Sequence, residues 1–527
     1  AVGDIAFAPS DNSIVYAGMG DGRGGYLGSG VLKSTDAGQT WTRVSNGSLP
    51  SPGTTMAIAV SPTNPNRVYL AQSSALNGTS VTAGGFYFSA DGGVNWTRTL
   101  GGAARGLAIH PATESTLYLA MRTVTQGGSL PGIFRSTDSG QTWTSIYESP
   151  YSPTTDVRVA VTPANPQSIY VYIGGTSGTF GTRVEVSTNS GESFTNRGAP
   201  GVDTGQFGYN TYLAVSPADA NTIYLGTRDV FKSTNGGTSY TNLTRSFNSA
   251  GGYTPGDSNT HPDQHALAFL PGNANTLFFA NDGGLYKSTD GGANLSSLNN
   301  TLSISQFVGL AIDPNNPARS YGGTQDNGNQ KRLTGSASGA WREFFSGDGG
   351  RTVLNPLNPS TVFITFVYGS IYRFENNGDS FSATVGSNAT FGEPDSGARI
   401  AFYPPFTGNG VNANLYFGTY RLFVSSNLGD SWTAPGGTFD QTKGGSDVLS
   451  ALCVARGNTN VIYSGSRQGR AMISTNGGAD WTDISTGIPN RSITSLTMHP
   501  TDPATAYLTV SGYGTGHIFK TTNSGNL

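Results

Sequence analysis

KSTDAGQTWTRV, residues 33–44, decides the fold because it returns: FSADGGVNWTRT at 88–99, RSTDSGQTWTSI at 135–146 and ISTNGGADWTDI at 473–484. Aligned copies start at Ser34, Ser89, Ser136, Ser187, Ser233, Ser288, Ser425, Ser474 and Thr521, with a weaker copy, FENNGDSF, at 374–381. Neighbouring copies are about 46 to 55 residues apart, and GSASGAWREF at 335–344 stands in the long gap after Ser288 as a degenerate unit that keeps Trp341. A period of this length belongs to propeller blades, solenoids or arrays.

Each period has the same internal order. MAIAV at 56–60 alternates like a half-buried strand, SPTNPNR turns, VYLAQ at 68–72 forms a second strand, and after a variable loop GFYFSADGGVNWTRT supplies a third and fourth. Short alternating runs punctuated by Asn, Pro and Gly are strands, and no segment sustains a helical period. The expected fold is all-β, a β-propeller with four-stranded blades.

Within the repeated turn, the Asp or Asn at the third position accepts hydrogen bonds from its own backbone, Gly38 supplies the positive φ, and Trp41 is expected to fill the crevice between blades. Asp36, Asp91, Asp138, Asn189, Asn235, Asp290, Asn427 and Asn476, with Trp41, Trp96, Trp143, Trp432 and Trp481, are therefore structural residues. Repetition of the carboxylate, and its replacement by Asn in several copies, argues against catalysis at these positions.

The repeat resembles the Asp-box (BNR) pattern. Its superfamily includes sialidases, tandem seven-bladed xyloglucan-cleaving glycoside hydrolases and the ten-bladed Vps10 domain of sortilin-like receptors. HPDQHALAF at 261–269, NDGGLYKSTDGG at 281–292, GGTQDNG at 322–328 and GDGG at 347–350 are similar to stretches of bacterial secreted sortilin-like or xyloglucanase-like BNR proteins of undefined function. The resemblance implies two tandem seven-bladed propellers with incomplete ends: residues 1–299 with about six blades and 300–527 with about five, the last incomplete. A single ten-bladed ring is the alternative. The final copy, TTNSGNL, stops before its tryptophan, so assembly through incomplete terminal blades is also expected.

A net charge of −3, with only 12% charged residues and no Lys/Arg run, leaves no footprint for a nucleic-acid backbone. No apolar run approaches the ~18 residues of a membrane-spanning helix. Richness in Gly, Ser, Thr and Asn fits a secreted bacterial protein, so the expected location is extracellular or at the cell surface. Cys453, the single cysteine, lies in the apolar run VLSALCVA and reads as a small buried hydrophobe.

Strands that alternate in direction place the repeated turn and the first-to-second turn at one end of each blade, and the second-to-third loop and interblade connection at the other. The latter end receives the long loops, such as GMGDGRGGYLGSG at 18–30, and function concentrates on long loops carried by rigid strands. There His261, Asp263, His265, Asp282, Gln325, Asp326, Asn327 and Asp348 gather in consecutive units. Oxygen donors of this kind suit calcium, with Asp282, Asp326, Asp348, Asp263 and His261 as expected ligands, while His265 lines the channel. No cofactor is required.

Glycoside hydrolysis needs two carboxylates flanking one bond. The tandem xyloglucanases place one catalytic Asp on each propeller, which by resemblance nominates Asp21 and Asp348. A sialidase is rejected: there is no Arg-Ile-Pro stretch and Arg135 lies inside a blade strand. Tyr26, Phe180, Phe207, Tyr209, Tyr253 and Tyr513 are loop aromatics able to stack on sugars. Arg-poor loops point to a neutral ligand. Two functions follow: a recognition or scaffold module for neutral glycan or protein or, alternatively, an extracellular glycoside hydrolase acting on a neutral β-glucan such as xyloglucan.

Overall fold

The computed structural model describes the chain except residues 24–25, 46–47, 50–52, 78–79, 82–83, 126–129, 152–153, 176–180, 201–205, 247–259, 333–339, 395–397 and 526–527. Phe180 and Tyr253 lie outside the described residues. The chain divides into two compact units, Ala1–Ser303 and Ile304–Leu527, the tandem arrangement and not a single ten-bladed ring.

In the first unit the blades are antiparallel meanders. Val2–Ala8, Asp11–Met19, Val31–Ser34 and Thr42–Arg43 make the first. The second and third share one long strand, Thr97–Ile109, whose first half closes one blade and whose second half opens the next. Its bend falls at Gly102, with φ of 138°, where a Cβ would lie 2.0 Å from the Thr123 carbonyl oxygen. Blades opened by Thr154–Val161, Tyr212–Val215 and Gln264–Leu270 complete the six found among the described residues. The second unit holds five, opened by Phe307–Ile312, Thr352–Leu354, Phe406–Gly408, Leu449–Val454 and Ile493–Met498. The degenerate copy forms a full blade, Trp341–Phe345 being its fourth strand.

Burial of apolar residues between successive blades holds each unit together. Tyr16, Val31, Ile58, Leu70 and Trp96 form one such layer, and Phe86, Leu117, Leu119 and Phe134 the next. The repeated turn is closed by its own side chains. Ser34 Oγ donates to Asp36 Oδ1 at 2.7 Å and accepts from Gly38 N at 2.8 Å, while Asp36 Oδ1 accepts from Thr40 N at 2.8 Å. The same bond from the backbone N–H four residues on reaches Asp91, Asp138, Asn189, Asn235, Asp290, Asn427 and Asn476.

The turn tryptophan packs on the preceding blade. Trp143 meets Phe86 edge-on at 4.7 Å, and Trp432 Nε1 donates to the Val385 carbonyl at 2.7 Å. Trp96 is 5% exposed, and Trp481 is half-buried. Trp41 departs from the expectation: it is 38% exposed, and its Nε1 donates to the Gly38 carbonyl of its own turn at 2.9 Å. Cys453 is half-buried, not fully enclosed, and burial pushes its thiol pKa up. Among the described residues, no helix is long and apolar enough to cross a membrane.

Candidate functional site

At the long-loop end of the first unit, a tight hairpin joins Asn273–Asn281 to Gly284–Ser288 and carries half-buried Asp282 at its tip. Both of its carboxylate oxygens are held: His265 Nε2 lies 2.6 Å from Oδ1 and Tyr209 donates to Oδ2 at 3.0 Å. The Tyr209 and His265 rings meet edge to face at 4.9 Å, which fixes the imidazole. His265, expected only to line the channel, is thus part of the site, and the side-chain hydrogen bond from Arg23 Nη2 to its backbone carbonyl at 3.3 Å ties the first blade's loop to this strand.

Asp263 stands beside this group in a left-handed conformation, φ 63°, which an Asp adopts at some cost. An oxygen of Asp263 and one of Asp282 lie within 4.8 Å of each other. Burial pushes the Asp263 carboxyl up, the 2.6 Å bond from Asn210 Nδ2 opposes it, and the charge of Asp282 raises it further. His261 sets its Nδ1 3.1 Å from the Pro262 carbonyl, and its own carbonyl accepts from buried Gln264 at 2.7 Å.

Asp21 follows the second strand of the first blade. It is half-buried, bridges Tyr26 and Thr55 through its backbone, and accepts from Arg23 N at 2.8 Å. In the second unit, Asp326 has φ of 59° and its N–H donates to Asp348 Oδ1 at 3.3 Å; Tyr403 donates to the same oxygen at 3.1 Å. The glycines after Asp348 permit close backbone approach: a Cβ on Gly349 would sit 2.2 Å from the Gly328 carbonyl oxygen. Gln325 and Asn327 serve this turn, Gln325 N donating to Gln306 O at 3.0 Å and Asn327 Nδ2 to Gln325 O at 3.0 Å. Asp263, Asp282 and His261 therefore group in the first unit, and Asp326 with Asp348 in the second.

Other aromatics divide. Phe207 is buried against Tyr172 and unavailable to a ligand, while Tyr26 and Tyr513 are exposed.

An arginine group went unread in the sequence. Asp156 is fully buried, with Arg105 Nε 3.0 Å from Oδ1 and Arg158 Nη2 2.6 Å from Oδ2. Burial pushes the Arg158 guanidinium down to about 10, with Asp156 opposing and Arg23 and Arg105 adding to the shift. Arg122, on the next strand, is pushed down by burial and by Arg105. The expectation of an Arg-poor face is corrected here: the loops are poor in Arg, but the strand ends beneath them are not. ARGLAI and DVRVAV, each opening an innermost strand with a charge in an apolar run, were the available signal.

No protein-family model matches the chain. A xyloglucanase of Hypocrea jecorina is 34% identical over 153 residues, 28% of this chain and 16% of that protein. Xyloglucanase Xgh74A of Acetivibrio thermocellus is 33% identical over 146 residues, 22% of this chain and 17% of that protein. The chain thus matches less than a fifth of the length of either relative. The crystal structure of a GH74 enzyme of Niastella koreensis is similar along 99% of this chain and 77% of that one, with a TM-score of 0.58 and 18% identity, a likeness of fold.

Proposed function

We propose that this chain is the propeller portion of an extracellular glycoside hydrolase that cleaves the backbone of a xyloglucan-type β-glucan, with Asp21 and Asp348 as its two catalytic carboxylates. One observation carries the reading: each unit presents a half-buried aspartate at its long-loop end, Asp21 beside the Arg23 N–H and Asp348 beside the Tyr403 hydroxyl and the Asp326 N–H. Donors that fix a carboxylate's direction without removing it from solvent suit general acid–base work on a glycosidic oxygen and a water. The local identity to two xyloglucanases supports this substrate class over a purely recognising scaffold. The same reading takes the repeated turn as an Asp-box and the protein as secreted. Any kinship to sortilin-like receptors is then one of blade architecture.

Calcium on Asp263 and Asp282 is a second element of the proposal. Their oxygens lie within 4.8 Å of each other, and a cation would offset the repulsion that raises Asp263.

The test is release of reducing ends from xyloglucan by the native chain and by the Asp21→Asn and Asp348→Asn variants. Each substitution should lower turnover by about 10² to 10⁴-fold with thermal unfolding unchanged. Xyloglucan binding without hydrolysis in the native chain would return the protein to the recognition class. Full activity in either variant would remove that residue from the reaction.

A further inference from the structure

The third and fourth blades of the first unit enclose a cavity of about 200 Å³ at their long-loop end. Arg122, Thr123, Leu130, Pro131, Tyr151 and Thr154 line it, with Ser149 and Pro150. That is room for about six or seven waters, or one sugar ring. Arg122 lies near the end of Leu117–Val124, the second strand of the third blade. Among the described residues it makes no hydrogen bond and no ion pair. Two buried acids stand near the wall, and both are taken: Asp156 by Arg105 and Arg158, and Glu185 by Arg183. Three guanidinium groups thus share a single carboxylate, and the one facing the cavity feels it only through space, with no hydrogen bond or ion pair of its own among the described residues.

The rest of the wall is chemically mixed. Ser149 Oγ and Thr154 Oγ1 lie 2.6 Å apart and offer hydroxyls at one edge, while the Tyr151 ring carries Arg183 5.1 Å from its centroid. Pro131 and the 53%-exposed Leu130 add apolar surface. An aromatic and aliphatic wall suits the C–H face of a pyranose, hydroxyls suit its rim, and a partly desolvated guanidinium suits a carboxylate in bidentate contact. We propose that this cavity binds a uronate residue of an acidic saccharide, its carboxylate on Arg122 and its ring against Tyr151 and Leu130.

Uronate binding at this cavity does not depend on hydrolysis. Calorimetric titration of the whole chain with a galacturonate oligomer, glucuronate, glucose, acetate and sulfate tests it. The native chain should bind the galacturonate oligomer and glucuronate saturably, and glucose at least tenfold more weakly. Arg122→Gln should weaken uronate binding at least tenfold. Because Arg122 makes no hydrogen bond or ion pair among the described residues, that variant should unfold within a few degrees of the native temperature. Arg122→Lys, which keeps the charge but not the fork, should fall between. Acetate or sulfate binding as tightly as uronate would mean a bare anion hole and overturn the proposal. So would an Arg122→Gln variant that binds uronate as well as the native chain, or a native chain that binds none. The Asp21→Asn variant should bind uronate normally, so failure of the hydrolase reading leaves this result intact.

Discussion

The two ends of the first unit's blades use the same side chain in opposite ways. At the turn end, half-buried Asp36 and Asp138 and exposed Asp290 are held at about 2, first by the side chains of Thr40, Thr142 and Asn294 and then by those residues' backbone N–H groups. At the long-loop end, Asp263 is pushed up by burial, and Asp156 is enclosed between two arginines. A turn aspartate finds its donors within four residues of itself, whereas Asp156 takes Arg105 from another blade and Asp263 takes Asn210 from the connection before the preceding one. The comparison separates carboxylates that close a local structure from carboxylates that only a folded ring can assemble, and the second kind is where chemistry can sit.

The contrast breaks most visibly at Asp156. Asp156→Ala leaves Arg105 and Arg158 buried without a counter-ion and should cost about 3 to 5 kcal/mol. Chemical denaturation of Asp156→Ala, set beside Asp36→Ala, measures the difference; equal, small losses would mean that the arginines reach water.

Next comes the tryptophan pair. Trp96→Ala empties a filled layer and should cost about 3 to 5 kcal/mol, while the exposed Trp41→Ala should stay within about 0.5 kcal/mol. Similar midpoints for the two would refute the idea that the preceding blade, and not the turn itself, confers the stabilisation.

Calcium sharpens the long-loop side. If Asp263 and Asp282 hold the ion, a chelator should lower the unfolding temperature and calcium restore it, by about 2.7 kcal/mol at a hundredfold excess over Kd. Asp282→Asn should abolish the response, and an unchanged melting curve in the native chain would remove the metal from the proposal.

The smallest effect is that of acid on the turns. These carboxylates are depressed in the folded chain, so between their ordinary value of 3.8 and about 2 the unfolded chain binds more protons. Their contribution is fully present above that window and is lost as pH falls through about 2. Denaturation from pH 5 to pH 2 should show a shallower loss in an Asp36→Asn, Asp138→Asn, Asp290→Asn chain than in the native one. At neutral pH the two should be close, since Asn189 and Asn235 already make the same backbone contacts.

Read by itself, the sequence determined the strands, the four-stranded repeat and the self-sufficient turn, because each depends on alternation and on donors a few residues apart. It also placed Asp21, Asp282 and Asp348 on the long-loop end, since strand direction alone sorts the loops. It did not reveal Tyr209 and His265 on Asp282, Tyr403 on Asp348, or Arg105 and Arg158 around Asp156. Those partners are 73, 17, 55, 51 and 2 residues away along the chain, respectively, and even the last two converge from different blades. Nor did it distinguish Trp41 from Trp96, which sit in nearly identical local sequence. Only the tertiary structure decided these, because burial and counter-charge depend on how strands and blades pack together, which a residue's own repeat does not record.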